Sequence, residues 1–351
     1  MMRLILTKYL RDGDIIAKDI TSYSGGILLR HDTRFREVFR SKLIERNVHQ
    51  VYIDDELSKG IEPKAILEPT IKKIITDDVQ SQFENLKNAL SLDVNRLMGT
   101  TEFLIKQLNQ RDLVLELDDL KVNDQYTYEH CIAVAILTNI VCDKLKIDER
   151  RKSQIVMGAL IHDIGKVIIP KDILNKSSRL TDTEYEIIKD HAELGYKMIK
   201  GDQGLSAVAK LIVLCHHERE DGTGYPLGKG PELHIGAKIV AACDIFHALA
   251  CDRCYRAGLP IDEVLDILDK ESIEPTIRQS IRSSFACYPV GSMVSLNDGR
   301  IAIVEKNFVS DMYKPMVRVL EQKDGKVIGK YKMNLKNEKE YYIIGNYQGQ
   351  I

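Results

Sequence analysis

A chain of 351 residues with 44% apolar side chains has ample material for a buried core and room for two or three domains. Its 50 basic and 52 acidic residues nearly cancel, which argues against a general binder of DNA or RNA polymers but leaves room for a local basic pocket. No apolar run is long enough to cross a bilayer, the start Met1-Met2-Arg3-Leu4-Ile5-Leu6 turns polar too soon for a secretory signal, and seven scattered cysteines suggest no disulfide framework. The expectation is no membrane contact and a reducing cytoplasm.

Residues 1–62 read as a small α+β domain with no cluster of ligand-type residues, expected to be regulatory and dispensable for chemistry. Asp14–Ala17, Gly26–Leu29 and Gln50–Ile53 are strand-like, and Thr33 is the expected cap of a helix running through Phe35, Val38, Phe39, Leu43 and Ile44. Glu62-Pro63 marks a boundary, and residues 63–120 read as connecting helices. Ile71, Ile75, Val79, Phe83, Leu86, Leu90, Val94 and Leu97 recur at steps of three and four, giving one apolar stripe. The stripe fits packing on a neighbouring domain or a homodimer seam through residues 71–97, and the sequence does not choose. Gly99-Thr100-Thr101 is expected to interrupt it.

Residues 121–286 read as almost wholly helical. Residues 287–351 change to β-type segments, with Asn297-Asp298-Gly299 and Lys323-Asp324-Gly325 as hairpin turns. The fold class expected is therefore mainly α, with an α+β piece at the N-terminus and a small β extension at the C-terminus. Cys251-x-x-Cys254 has redox spacing, but its context fits a helix end, so a structural role is expected.

The chemistry concentrates in the helical region. Gly158-Ala159-Leu160-Ile161-His162-Asp163-Ile164-Gly165-Lys166 is an apolar helix end that turns abruptly to imidazole, carboxylate and amine. Gly165 is expected to let the backbone turn there. His130, His191, His216-His217 and Asp244 also sit in or beside apolar segments. One such residue is ordinarily a satisfied core or capping group. So many together are costly to bury without a shared partner, and a metal centre removes that cost. Nitrogen donors mixed with a carboxylate able to bridge suit iron, manganese or zinc better than magnesium, and the number of donors exceeds one tetrahedral ion. Two divalent ions about 3.5–4 Å apart would make a hydrolytic centre, with a bridging hydroxide as nucleophile and Lys166 beside the developing charge. After His216-His217-Glu218, the stretch Asp221-Gly222-Thr223-Gly224-Tyr225-Pro226 can turn tightly and wall such a pocket, with the Tyr225 ring offered for stacking. Arg253 and Arg256 could meet a phosphate or a guanine edge.

These motifs, in this order, resemble the HD-GYP family of bacterial cyclic di-GMP phosphodiesterases, within the HD metal-phosphohydrolases. The match covers roughly residues 120–286, about half the chain, and includes Tyr126-Thr127-Tyr128-Glu129-His130 and Arg253-Cys254-Tyr255-Arg256. The resemblance implies His130, His162, Asp163 and Asp244 on one metal, Asp163 as the bridge, and His191, His216 and His217 on the second. It implies catalytic roles for Asp163 and Lys166, and substrate contacts from Lys166, Gly222, Gly224, Tyr225, Pro226 and Arg253. It further implies iron or manganese, and cyclic di-GMP opened to pGpG or GMP. Four positions depart from the pattern. Tyr126 replaces a Glu that in some members accompanies a third metal, so two are expected. His247 replaces a second Asp, and its imidazole could hydrogen-bond a ligand or join the metals. Lys238 replaces an Arg and Cys254 a Pro. Two other readings are an HD-type phosphohydrolase for another nucleotide or cyclic dinucleotide, and a non-catalytic cyclic di-GMP sensor or docking module for a diguanylate cyclase.

Overall fold

The computed structural model describes residues 1–21, 26–46, 48–109, 115, 127–176, 178–230, 232–250, 259, 261–308, 311–347 and 349. The chain divides into two compact units, one of residues 66–111 and 117–284, the other of residues 1–65, 112–116 and 285–351.

At the N-terminus, β1 (Arg3–Leu6), β2 (Ile15–Ile16), β3 (Ile20–Thr21), β4 (Ile27–Leu29), α1 (Arg40–Glu45) and β5 (Gln50–Asp54) enclose a core of Leu10, Ile16, Phe35, Leu43, Val51 and Ile53. The antiparallel sheet runs β1-β5-β2, and β3 pairs with β4. The expected strands are present, but β1 and β3 were not foreseen. Thr33 does not cap the helix: its N–H bonds to the Arg30 carbonyl, and a 3-10 turn at Glu37–Phe39 leads into α1.

The helical unit contains α2 (Pro69–Lys87), α3 (Val94–Asn109), α4 (Thr127–Lys144), α5 (Glu149–Ile161), α6 (Lys171–Leu174), α7 (Asp182–Ile199), α8 (Ala207–Cys215), α9 (Ile235–Ala250), α10 (Ile261–Leu268) and α11 (Pro275–Arg282). A 3-10 turn, Ile164–Ile168, follows α5. α4 is buried from His130 to Cys142, with α5, α9, α2 and α11 packed around it. The stripe on α2 and α3 is spent inside this unit. Ile75, Val79, Phe83, Leu86 and Leu97 are buried, so these side chains are not free for a dimer seam, and Leu90 alone among the apolar steps is well exposed. The helix breaks at residues 88–93 rather than at Gly99. Ala89 adopts φ +57°, Asp93 caps α3 by accepting the Arg96 N–H at 3.0 Å, and Thr100 and Thr101 donate to the Arg96 and Leu97 carbonyls within the helix. Hydroxyls that bond one turn back let both threonines stay helical.

The C-terminal strands are β6 (Met293–Leu296), β7 (Ile301–Phe308), β8 (Asp311–Lys323), β9 (Lys326–Asn334) and β10 (Ile343–Asn346), in the order β10-β6-β7-β8-β9. The two expected hairpin turns join β6 to β7 and β8 to β9. Gly299 (φ +87°), Asp324 (φ +52°) and Gly325 (φ +74°) supply the left-handed residues these turns need. The two ends of the chain, which read as separate pieces in the sequence, fold as one unit. Leu4 N–H bonds to Gly291 O at 2.8 Å, Tyr52 Oη donates to Val290 O, and Ile61 is buried with Met293, Ile301, Ile303 and Leu320. Among the described residues no helix is long and apolar enough to cross a membrane.

Candidate metal centre

The site assembles where α5 and α8 end and α4 begins, beside the middles of α7 and α9. α5 approaches α8 through Gly158, where a Cβ would fall 2.7 Å from the Ile212 side chain. The 3-10 turn lies against α7 through Gly165, where a Cβ would fall 1.9 Å from the His191 carbonyl oxygen and 2.6 Å from Gly195 N. Gly165 is therefore needed for close approach rather than to reverse the chain. These contacts bring His162, the C-cap of α5, and Asp163 beside His191 on α7 and His216-His217 at the end of α8. His130 comes from the first turns of α4, and Asp244 from the middle of α9.

Asp163 is buried at the centre, and its two oxygens face different sets. Oδ1 lies 3.3 Å from His191 Nε2 and 3.7 Å from His216 Nε2. Oδ2 lies 3.5 Å from His162 Nε2 and 3.7 Å from His130 Nε2. His130 Nε2 is 2.9 Å from Asp244 Oδ1, and His191 Nε2 is 3.1 Å from His216 Nε2. Donors about 2.1 Å from one ion stand about 3.0 Å apart at right angles and about 3.4 Å apart in a tetrahedron, so these separations are those of ligands sharing a cation. Two donor groups result: Asp163, His191, His216 and His217, and His130, His162 and Asp244. All seven residues singled out in the sequence as ligands are thus brought together.

Hydrogen bonds orient the rings. Nδ1 of His162 donates to Ala159 O (2.8 Å), that of His191 to Ile188 O (2.6 Å), and that of His216 to Val213 O (3.0 Å). In its neutral form each ring then turns an unprotonated Nε2 into the site. Two such lone pairs 3.1 Å apart, on His191 and His216, repel unless a cation draws them together. His162 Nε2 and Asp163 Oδ1 are buried without a hydrogen-bond partner, a cost a shared ion would remove. The residues present therefore fit a metal centre.

The electrostatics agree. Burial opposes the charge of Asp163, but Lys166, whose Nζ is 2.5 Å from Oδ2, and the surrounding imidazoles hold its carboxyl well below the usual range. Asp244 is held low against burial in the same way, chiefly by His130. Burial lowers His130 and His217, and takes His216 down to about 4. Anionic carboxylates and neutral imidazoles are the forms that bind metal. His162 is the exception. Burial opposes its proton, but Cys131, Asp163 and Asp244 raise it to about 10, the mark of a position that attracts positive charge.

The Gly-Tyr-Pro loop walls the site. The Tyr225 ring stacks on His217 with centroids 4.7 Å apart, and Tyr225 precedes Pro226 through a cis peptide. Gly222 adopts φ +80°, and a Cβ on Gly224 would fall 2.4 Å from Arg219 N. Three contributors escaped the sequence reading. Glu218 is buried and accepts the N–H groups of Leu227 (2.6 Å) and Lys229 (2.9 Å), which pins the loop. The Cys131 thiol groups with His162 and Asp163 as a further donor, and its place next to His130 was the available signal. Gly195 forms the other half of the contact with Gly165. His247 bonds His130 rather than joining either donor group, and Lys238 pairs with Glu220 (3.1 Å) and Glu274 (3.6 Å). Tyr126, Cys251, Arg253, Cys254 and Arg256 lie outside the described residues.

Fold and site together define a helical protein built around a buried histidine–aspartate centre. Residues 88–277, more than half the chain, match the HD domain model. The chain belongs to the HD domain family, which is metal-dependent, and the HD-GYP resemblance of its motifs holds. It is 30% identical over 253 residues to a cyclic di-GMP phosphodiesterase of Pseudomonas aeruginosa, covering 71% of this chain and 61% of that protein. It is 32% identical over 168 residues to a 3'3'-cGAMP-specific phosphodiesterase of Vibrio cholerae, covering 47% and 36%. The chain thus spans less than two thirds of either relative. Among solved structures, Bd1817, an HDG"Y"P protein of Bdellovibrio bacteriovorus, shares the fold, with TM-score 0.50, 19% identity, and coverage of 80% of this chain and 98% of that one.

Proposed function

We propose that this chain is a metal-dependent phosphodiesterase that opens cyclic di-GMP to pGpG and on to GMP. The observation that carries this reading is the placement of Asp163, with one oxygen toward each of two histidine sets. His130, His162, Asp163 and Asp244 would hold one divalent ion, and Asp163, His191, His216 and His217 the other, with iron or manganese the best match to such donors. Bound ions of this kind supply Lewis acidity toward a phosphate and activate water. The protein's own groups do the rest. Lys166 keeps Asp163 anionic and places positive charge beside the centre. Tyr225, set against His217, offers a face for a base, and Gly222 and Gly224 let the loop backbone approach it. Residues 121–286 carry the chemistry in this reading. Residues 1–62 serve regulation.

A second substrate has a specific observation in its favour: the Vibrio cholerae relative is named for 3'3'-cGAMP. Both are tested together. The full chain, loaded anaerobically with iron or manganese, is given cyclic di-GMP and 3'3'-cGAMP in parallel. Release of pGpG and GMP, with faster turnover of cyclic di-GMP, is expected. Preference for cGAMP would reassign the substrate, and tight binding without hydrolysis would make the chain a sensor.

A further inference from the structure

His247 lies on α9 one turn beyond Asp244, and is buried. Its Nδ1 stands 2.8 Å from Nδ1 of His130. Two imidazole nitrogens at that distance share one proton, so one donates and the other accepts. The far side of His130 fixes the direction. Its Nε2 faces Asp244 and Asp163, 2.9 and 3.7 Å away, and is the atom available to an ion. An imidazole nitrogen ligates only through a free lone pair, so a neutral His130 must carry its proton on Nδ1. The partner of that proton is His247, which must then hold its own proton on Nε2. His162, His191 and His216 fix the same tautomer with main-chain carbonyls. Helix geometry supplies those carbonyls whatever the side chains are. His130 takes its acceptor from a side chain, so its orientation can be changed by a single substitution.

We propose that His247 is a positioning residue, which accepts the Nδ1 proton of His130 and so holds the Nε2 lone pair on the ion shared with His162, Asp163 and Asp244. This rests on His130 being a ligand. It also accounts for an imidazole at a position that belongs to neither donor group.

Leu and Asn have nearly the same shape, but only Asn presents an oxygen near the place of the imidazole Nδ1. In the full chain, His247→Leu is expected to weaken one of the two manganese ions by about 10–100-fold in equilibrium dialysis with elemental analysis. His247→Asn is expected to keep both near wild-type affinity. Two tightly held ions in His247→Leu would overturn the proposal, as would equal loss in both variants, since that would mean shape alone matters. His130→Ala separates the underlying reading: if it retains both ions, His130 is not a ligand, and if it loses one while His247→Leu does not, only the role of His247 fails. Should His247→Leu not fold, nitrogen-15 histidine spectra of the wild type loaded with diamagnetic zinc give the tautomers directly. A proton on Nδ1 of His130 and Nε2 of His247 is expected, and the reverse assignment overturns the idea.

Discussion

The terminal unit and the helical unit both bury charge, and they treat it differently. In the terminal unit Arg318 is 7% exposed, yet its guanidinium donates to Glu305 and to the carbonyls of Leu57 and Lys59. Arg3 likewise donates to Asp55. The unpartnered buried atoms of this unit, Arg300 Nη2 and Asn307 Oδ1 among the described residues, belong to residues whose other polar atoms are bonded. In the helical unit other unpartnered atoms, such as Gln82 Nε2 and Arg278 Nε, are scattered singly, but His162 Nε2 and Asp163 Oδ1 lie together within one convergent donor cluster. Paired burial holds a fold together. Convergent, unpaired burial marks a place where something else binds.

The sharpest way to break that contrast is Asp163→Ala. It removes the one carboxylate that faces both histidine sets, so both ions should be lost from the dialysed protein, with affinity falling by more than the ~100-fold typical of supporting residues. Helical circular dichroism should remain. Retention of either ion at full affinity would dissolve the case for a bridge.

Arg318→Ala probes the other side. Glu305, 7% exposed, would keep only Lys332 as a charged partner, and two carbonyls would lose their donor. A loss of about 3 kcal/mol is expected in denaturant unfolding of the terminal unit, with metal content unchanged. For the same reason, deleting residues 1–62 should destabilise the C-terminal sheet rather than merely release a regulator, because Ile61 and the Leu57 and Lys59 carbonyls would go with it.

Acid should act on the helical unit of the metal-free protein. His216 has its folded value at about 4, below its ordinary 6.5, because burial disfavours its charge. A depressed value means that the unfolded chain binds the proton first. The stability this contributes is present above pH 6.5 and lost as pH falls toward 4, on the order of 3 kcal/mol. His162 has the opposite sign. Raised to about 10, it contributes fully below pH 6.5 and loses that contribution as pH rises through 10. Unfolding midpoints between pH 7 and pH 4 read the acid limb. A flat profile would show that His216 is not held neutral.

Most of the donor cluster was legible because its residues stand in or beside apolar runs, and such an interruption is visible one residue at a time. The strands with their Gly-marked hairpins, and the helices with their three-four spacing, were legible for the same local reason. What stayed hidden depends on distance in space. The break at Ala89 lies under an apolar rhythm that continues across it. The union of the two chain ends rests on contacts such as Arg318 with Leu57, more than 250 positions apart. Gly165 looked like a turn because the His191 carbonyl it clears is supplied by another helix. His247 could be seen as unusual, but only the 2.8 Å contact shows that it meets His130 rather than an ion.

Glu218 should give the smallest effect and the most selective one. It is a buried charge in the helical unit that is fully paired, so by the contrast above it should serve structure next to the site rather than bind metal. Both its oxygens accept main-chain N–H groups, from Leu227 and Lys229, just beyond Tyr225 and Pro226. Glu218→Gln keeps the shape but sets an amide N–H against one of those donors, costing about 1–2 kcal/mol locally. The loop carrying Tyr225 should loosen while the ligands stay in place. The expected result is unchanged metal content, a severalfold rise in KM for the cyclic dinucleotide, and little change in kcat. Loss of metal would place Glu218 among the groups that support the centre. An unchanged KM would mean that the loop does not touch substrate, and Tyr225 would then be only a cover for His217.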